Sequence, residues 1–146
     1  MDPTILTVIA ATLCIIGCAG AALIAIKTCA PALASVTAEK PELGNKLLIT
    51  IILGEALAIY GLLIAFMIIA RIPEISTETE ALQTLLAATT MSGTAIIAAI
   101  GIAYCGPALM TAVLEKPQSF TTNILGLILS EALAIYGLLI SFMLIG

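Results

Sequence analysis

Residues 54–67 read GEALAIYGLLIAFM, and residues 130–143 read SEALAIYGLLISFM. Each apolar stretch holds one glutamate near its start, Glu55 in the first and Glu131 in the second, offset by 76 positions. The same offset superimposes Pro107 on Pro31, and Glu115-Lys116-Pro117 on Glu39-Lys40-Pro41. An identity such as EALAIYGLLI can arise by composition in a chain rich in Ala, Ile and Leu. A glutamate and a tyrosine in register, with E-K-P upstream of both, cannot. The chain is one unit written twice.

The repeated unit belongs in a bilayer. Of 146 residues, 62% are hydrophobic and only 10% are charged, with a mean hydropathy of +1.25. A soluble domain carries about 25% charged residues, and the few charges here cannot cover a water-exposed surface. Histidine is absent, which excludes a His-ligated metal site and a His-based catalytic triad. The net charge is −4, with no basic patch to hold nucleic acid. Cys14, Cys18, Cys29 and Cys105 have no C-x-x-C spacing, so they read as small apolar packing residues.

A spanning helix needs about 20 mostly apolar residues, and the chain offers four such runs. They cover about Thr4–Ile26 (continuing past Lys27), Leu47–Ala70, a stretch within Ala81–Leu114, and Thr121–Gly146. The first follows Met-Asp-Pro with no positive n-region, and reads as a retained helix rather than a leader. Polar breaks fall at TAEKPELGNK (37–46), RIPEISTETE (71–80) and LEKPQSFTTN (114–123), each with a proline. The expected fold is all-α: four transmembrane helices in two hairpins, the first over residues 1–76 and the second over 77–146.

Charge orients the hairpins. The E-K-P loops carry Lys40, Lys46 and Lys116, whereas the central break sets Arg71 against Glu74, Glu78 and Glu80. The positive-inside tendency places loops 37–46 and 114–123 in the cytoplasm, with both termini on the opposite side. The first and third spans are rich in small residues, GCAGAA (17–22) and SGTAIIAAIGIA (92–103). Small side chains let membrane helices approach closely. These two spans are therefore expected as an inner layer, backed by the bulkier second and fourth.

Glu55 and Glu131 fall near the middle of the second and fourth spans. An ionised carboxylate at that depth costs about 2.5–3.5 kcal/mol on insertion scales, and an apolar setting favours the protonated form. A group that is neutral against lipid and charged only where water or a cation reaches it can carry an ion across a barrier. Tyr60 and Tyr136 follow their glutamates by five residues, about 1.4 turns, so either hydroxyl can serve its own helix or a neighbour's carboxyl. Lys27 lies at a depth similar to Glu55 and is a candidate ion-pair partner for it; snorkelling toward the cytoplasmic end is the preferred alternative. The second repeat has Ala103 in that place.

With E-K-P loops and E-A-L-A-I-Y-G on each second helix, the chain resembles the membrane-rotor proteolipid of V-type and A-type ATPases in its duplicated-hairpin form. The resemblance spans essentially the whole chain and is best at 39–66 and 130–142. It implies a homo-oligomeric ring, non-catalytic by itself, that turns in the bilayer against a stator membrane subunit. Glu55 and Glu131 would carry ions, Tyr60 and Tyr136 would support them, and the E-K-P loops would meet the central stalk. Many four-helix members keep the carboxylate in one hairpin only; here both have it. More carriers per ring move more ions per ATP.

Sodium-carrying members add Gln and Ser/Thr oxygens to the glutamate. Here Ala56-Leu57 and Ala132-Leu133 follow the glutamates, and Ile26 and Ile102 stand where a ligating Gln would align. Gln83 and Gln118 lie near helix ends. A bare carboxyl suits a proton better than a hard cation, so protons are expected and sodium is the alternative, with Ser130, Thr50, Thr89 and Thr90 as reserve oxygens. No cofactor is expected. A small four-helix proton-coupled transporter is the other reading. It fits less well, because the chain is 4% aromatic without Trp and its repeat is parallel.

Overall fold

The computed structural model describes residues 2–146 and, among these, contains helices and turns only. Four long helices carry the chain: α1 (Pro3–Glu39), α2 (Ile49–Ala70), α3 (Glu78–Glu115) and α4 (Phe120–Ile145). Each, with its lead-in turn, is long and apolar enough to cross a membrane. The all-α, two-hairpin expectation is met. A 3-10 turn (Pro41–Leu43) and one α-turn (Gly44–Leu47) lead into α2, and a 3-10 turn (Pro117–Ser119) leads into α4. The two E-K-P sequences thus form equivalent corners.

Prolines act differently by place. Pro41 and Pro117 open the turns after α1 and α3, where a missing amide costs nothing. Pro31 and Pro107 lie inside the helices, which run on for another two turns. Each removes the amide that would have met the carbonyl four residues earlier, at Lys27 and Ala103. Because α1 and α3 continue past these prolines, they reach 37 and 38 residues. At 1.5 Å per residue that is about 55 Å, well beyond a hydrocarbon core of about 30 Å.

Packing follows side-chain size. The two long helices lie against each other, α2 rests on α1, α4 rests on α3, and α2 touches α4 only sparsely. A Cβ placed on Gly17 of α1 would sit 2.7 Å from Ser92 Cβ of α3, so this crossing is as close as glycine permits. Gly61 of α2 abuts Cys18 and Gly137 of α4 abuts Thr94, the same contact in both hairpins. Cys14, Cys18 and Cys29 are buried free thiols, and two of them donate across helices: Cys14 to the Gly61 carbonyl at 3.6 Å, Cys29 to that of Ile102 at 3.7 Å. They pack as small residues.

Both ends of the bundle are pinned. At the E-K-P end, Lys40 Nζ donates to the Leu114 carbonyl at 2.5 Å, and Lys46 lies 4.3 Å from the Phe120 ring centre. A cation on the carbonyl end of α3 also complements the helix dipole. At the other end, Thr77 accepts from the Glu80 amide while Glu80 accepts from the Thr77 amide, a capping box that starts α3.

Candidate functional site

Glu131 sits on α4 eleven residues after its first residue and fourteen before its last, so it falls at mid-span. Its helix turns it inward, and its side chain is buried with 8% of its surface exposed. Across from it stands α2 of the other hairpin. Tyr60, half-buried on that helix, donates its hydroxyl to Glu131 Oε1. The sequence left open whether each tyrosine would serve its own helix or a neighbour. For Tyr60 the structure selects the neighbour, 71 positions away.

The other pair is not assembled within the chain. Glu55 is exposed on α2, and Tyr136 is 61% exposed on α4. Lys27 is also exposed, and among the described residues it makes no ion pair with Glu55; the side-chain pair at the membrane edge is Arg71 with Glu74, at 3.6 Å. The duplicated motif has therefore produced two unlike environments.

The hydroxyls held in reserve for a cation are mostly committed to their own helices. Ser130 Oγ, next to Glu131, donates to the Gly126 carbonyl at 2.7 Å. Thr50 bonds the Leu47 carbonyl at 2.8 Å, and Thr89 those of Leu85 and Leu86. Ile102, in the place of a ligating Gln, is fully buried. The arrangement offers a carboxylate and a phenol facing each other in an apolar crossing. It can bind and release a proton while the phenol orients the carboxylate.

What the sequence left open is which carboxyl each phenol serves, since a five-residue spacing suits a neighbour's glutamate as readily as its own. The available signal was depth: Tyr60 and Glu131 lie 20 residues after Lys40 and 15 after Lys116, within about 8 Å of the same level along the helix axis.

The fold agrees with comparisons to known proteins. The profile of the ATP synthase C-subunit family matches the chain twice, over residues 9–68 and 85–144. The chain is 29% identical over 112 residues to the 16 kDa proteolipid subunit of the V-type proton ATPase of Rattus norvegicus, covering 77% of this chain and 72% of the relative. The protein of the same name from Nephrops norvegicus is 27% identical over 114 residues, with the same coverage. With four helices among the described residues long and apolar enough to cross a membrane, and proteolipid subunits among its relatives, the chain is an integral, multi-pass membrane protein. The two profile matches cover most of its length, and the chain belongs to the ATP synthase C-subunit family in a form that carries the unit twice.

Proposed function

We propose that this chain is the ion-carrying rotor subunit of a V/A-type rotary ATPase or ATP synthase, and that it translocates protons on Glu131 and Glu55. The observation that carries the reading is the Tyr60–Glu131 bond: an intramembrane carboxylate held by one phenol at the crossing of two hairpins. Copies assemble into a closed ring, with α1 and α3 lining its inside and α2 and α4 facing the stator and lipid. Each glutamate takes a proton where a half-channel in the stator membrane subunit lets water in. It travels round in the neutral form, which lipid tolerates, and gives the proton up at a second half-channel. The chain performs no covalent chemistry and needs no cofactor; ATP is made or split by the soluble head.

The E-K-P corners at 37–46 and 114–123 face the cytoplasm and meet the central stalk, and both termini lie on the other side. The unit boundary falls in the central break, after residue 76. The proton assignment rests on the donor set. Around Glu131 the hydroxyl of Ser130 is turned to its own helix, and a phenol with a carboxylate is too few oxygens for sodium.

Carbodiimides attack protonated carboxyls in apolar surroundings, so labelling of membranes read by mass spectrometry tests the reading. Modification of Glu55 and Glu131 that falls at high pH and ignores sodium is the expected result. Protection by sodium would make sodium the carried ion and keep the rotor. No labelling at either position would remove the carrier role.

A further inference from the structure

At about 55 Å, α1 and α3 are far longer than one crossing of a bilayer requires. The position of their exposed apolar side chains accounts for the excess. On α1 the large exposed apolar residues run from Ile5 to Leu23, and on α3 the aliphatic ones run from Leu82 to Ile100. Each belt is about 27 Å tall, close to the thickness of a hydrocarbon core. On the outer pair the belts run from Leu48 to Ile69 and from Leu125 to Met143, about 27–32 Å.

Inner and outer belts do not lie at one level. Lys40 and Lys116 give a common reference, since each ends an inner helix at an E-K-P corner. The outer belts begin 8 and 9 positions after these lysines, whereas the inner belts stop 17 and 16 positions before them. At the far ends, Ile5 and Leu82 lie 35 and 34 positions from the lysines, and Ile69 and Met143 only 29 and 27. Both edges of the inner belts are thus displaced about 10–12 Å away from the corners.

Between the inner belts and the corners the wall changes character. Beyond Leu23 the exposed residues of α1 are Lys27, Ala30, Pro31, Ala34, Ser35 and Ala38, before the terminal Glu39. Beyond Ile100 those of α3 are Tyr104, Ala108, Thr111 and Glu115. Lys27 and Tyr104 each follow the last residue of their belt by 4 positions, about 6 Å. Long cationic side chains and tyrosines favour the level where headgroups replace acyl chains. At that level a notch of about 290 Å³ opens between α1 and α3, lined by Ile24, Thr28, Ile100, Ala103 and Tyr104. Pro107 also deprives the Ala103 carbonyl of its usual amide partner.

From this offset we infer that α1 and α3 enclose a patch of phospholipid lying about 10–12 Å off the surrounding membrane, with one anionic headgroup per copy seated on Lys27 and Tyr104. The inference rests on the ring reading above and names what the inside of the ring binds. Lys27 donates to the phosphate, and the notch beside it takes the polar part of the headgroup. The belts below require acyl chains, so the ligand is a lipid and not a free phosphate. The second hairpin has Ala103 where the first has Lys27, and the first has Thr28 where the second has Tyr104. Each copy therefore supplies one pair of anchors.

Two measurements test the inference. In the first, the purified assembly is equilibrated with phosphatidylglycerol and phosphatidylcholine of the same acyl chains, and retained lipid is counted by mass spectrometry. One basic residue at an anionic lipid surface is worth a preference of about fivefold. The unaltered chain is expected to retain phosphatidylglycerol by that factor, Lys27→Arg to keep the preference and Lys27→Gln to lose it. In the second, a membrane-impermeant maleimide is applied from the E-K-P side. Pro31 and Leu125 are both exposed and stand 9 positions from Lys40 and Lys116, one on an inner helix and one on an outer. Pro31→Cys is expected to react and Leu125→Cys to be protected by lipid. Equal protection of the two would overturn the offset, and a headgroup preference that is absent or survives Lys27→Gln would overturn the anchor. A reactive Pro31→Cys in an assembly that retains no phospholipid would overturn the lipid as occupant. Neither measurement depends on Glu131, so its carbodiimide labelling tests the carrier reading separately.

Discussion

Tyr60 and Glu131 belong to different hairpins and meet in a single hydrogen bond at the crossing of α2 and α4, two helices that otherwise barely touch. The bond is therefore the main polar tie between the outer helices. Hydrogen bonds between membrane helices are worth about 0.6 kcal/mol on average, so Tyr60→Phe should leave the fold intact. Its effect belongs on function: an unoriented Glu131 should slow ATP-driven proton uptake into vesicles, with the thermal midpoint of the detergent-solubilised protein nearly unchanged. Loss of uptake together with loss of the folded protein would point to a structural tie instead.

The close packing of α3 on α4 depends on Gly137. A Cβ there would overlap Thr94, whose hydroxyl is held by the carbonyls of Thr90 and Met91 at 2.9 and 3.1 Å. Thr94 cannot swing away without giving up those bonds. Overpacking of this kind costs about 1–3 kcal/mol. Gly137→Ala should lower the thermal midpoint, and Thr94→Ala in the same chain should restore most of the loss. Gly93→Ala, at an open position, should leave the isolated subunit unaffected.

Much of this arrangement could be read from the residues. The 76-position offset revealed the duplication because a glutamate, a tyrosine and E-K-P fell in register. The inner and outer layers followed from GCAGAA and SGTAIIAAIGIA, where only small side chains allow the Gly17–Ser92 approach. The passage of α1 and α3 through Pro31 and Pro107 was not evident, since proline usually ends a helix and only tertiary packing keeps these two going. Nor was the contrast between Glu55 and Glu131. Two identical motifs differ in burial only because one lies on the internal face of the tandem and the other on its end, and no local sequence property encodes that.

Ser141 donates to the Ala87 carbonyl at 2.8 Å, buried between α4 and α3 near the end opposite the E-K-P corners. Its mate in the first hairpin is Ala65, so the bond has no counterpart there. Ser141→Ala removes a donor but creates no unpaired group, because the Ala87 carbonyl keeps its helical amide. A loss of about 0.6 kcal/mol, and no more than about 1.7, is expected. Unfolding in mixed detergent micelles would measure it.

The start of α3 rests on the Thr77–Glu80 capping box, with both reciprocal bonds present at 3.2 and 3.0 Å. Replacing an N-cap threonine by alanine costs about 0.5–2 kcal/mol. Because the cap lies in the central break, outside the apolar span, the cost should appear as local fraying. Thr77→Ala should speed hydrogen exchange at the amides of residues 78–83 and leave those around Glu131 protected. Faster exchange along the whole of α3 would mean that the cap supports the bundle, not only the first turn.

The two glutamates can be separated by charge alone. Glutamine is close to isosteric with a protonated glutamate, so Glu55→Gln and Glu131→Gln each leave a group that lipid accepts but that cannot release a proton. If both positions are carriers on one rotor, every stretch of ring must hand over a proton as it passes the stator, and blocking either class halts coupled transport. Both variants are therefore expected to assemble normally and to bring ATP-driven acidification of vesicles down to background, read with a pH-sensitive dye. The exposure of Glu55 makes the contrasting outcome informative. Full acidification by Glu55→Gln, with none by Glu131→Gln, would leave one carrier per chain and give Glu55 no part in the transport cycle.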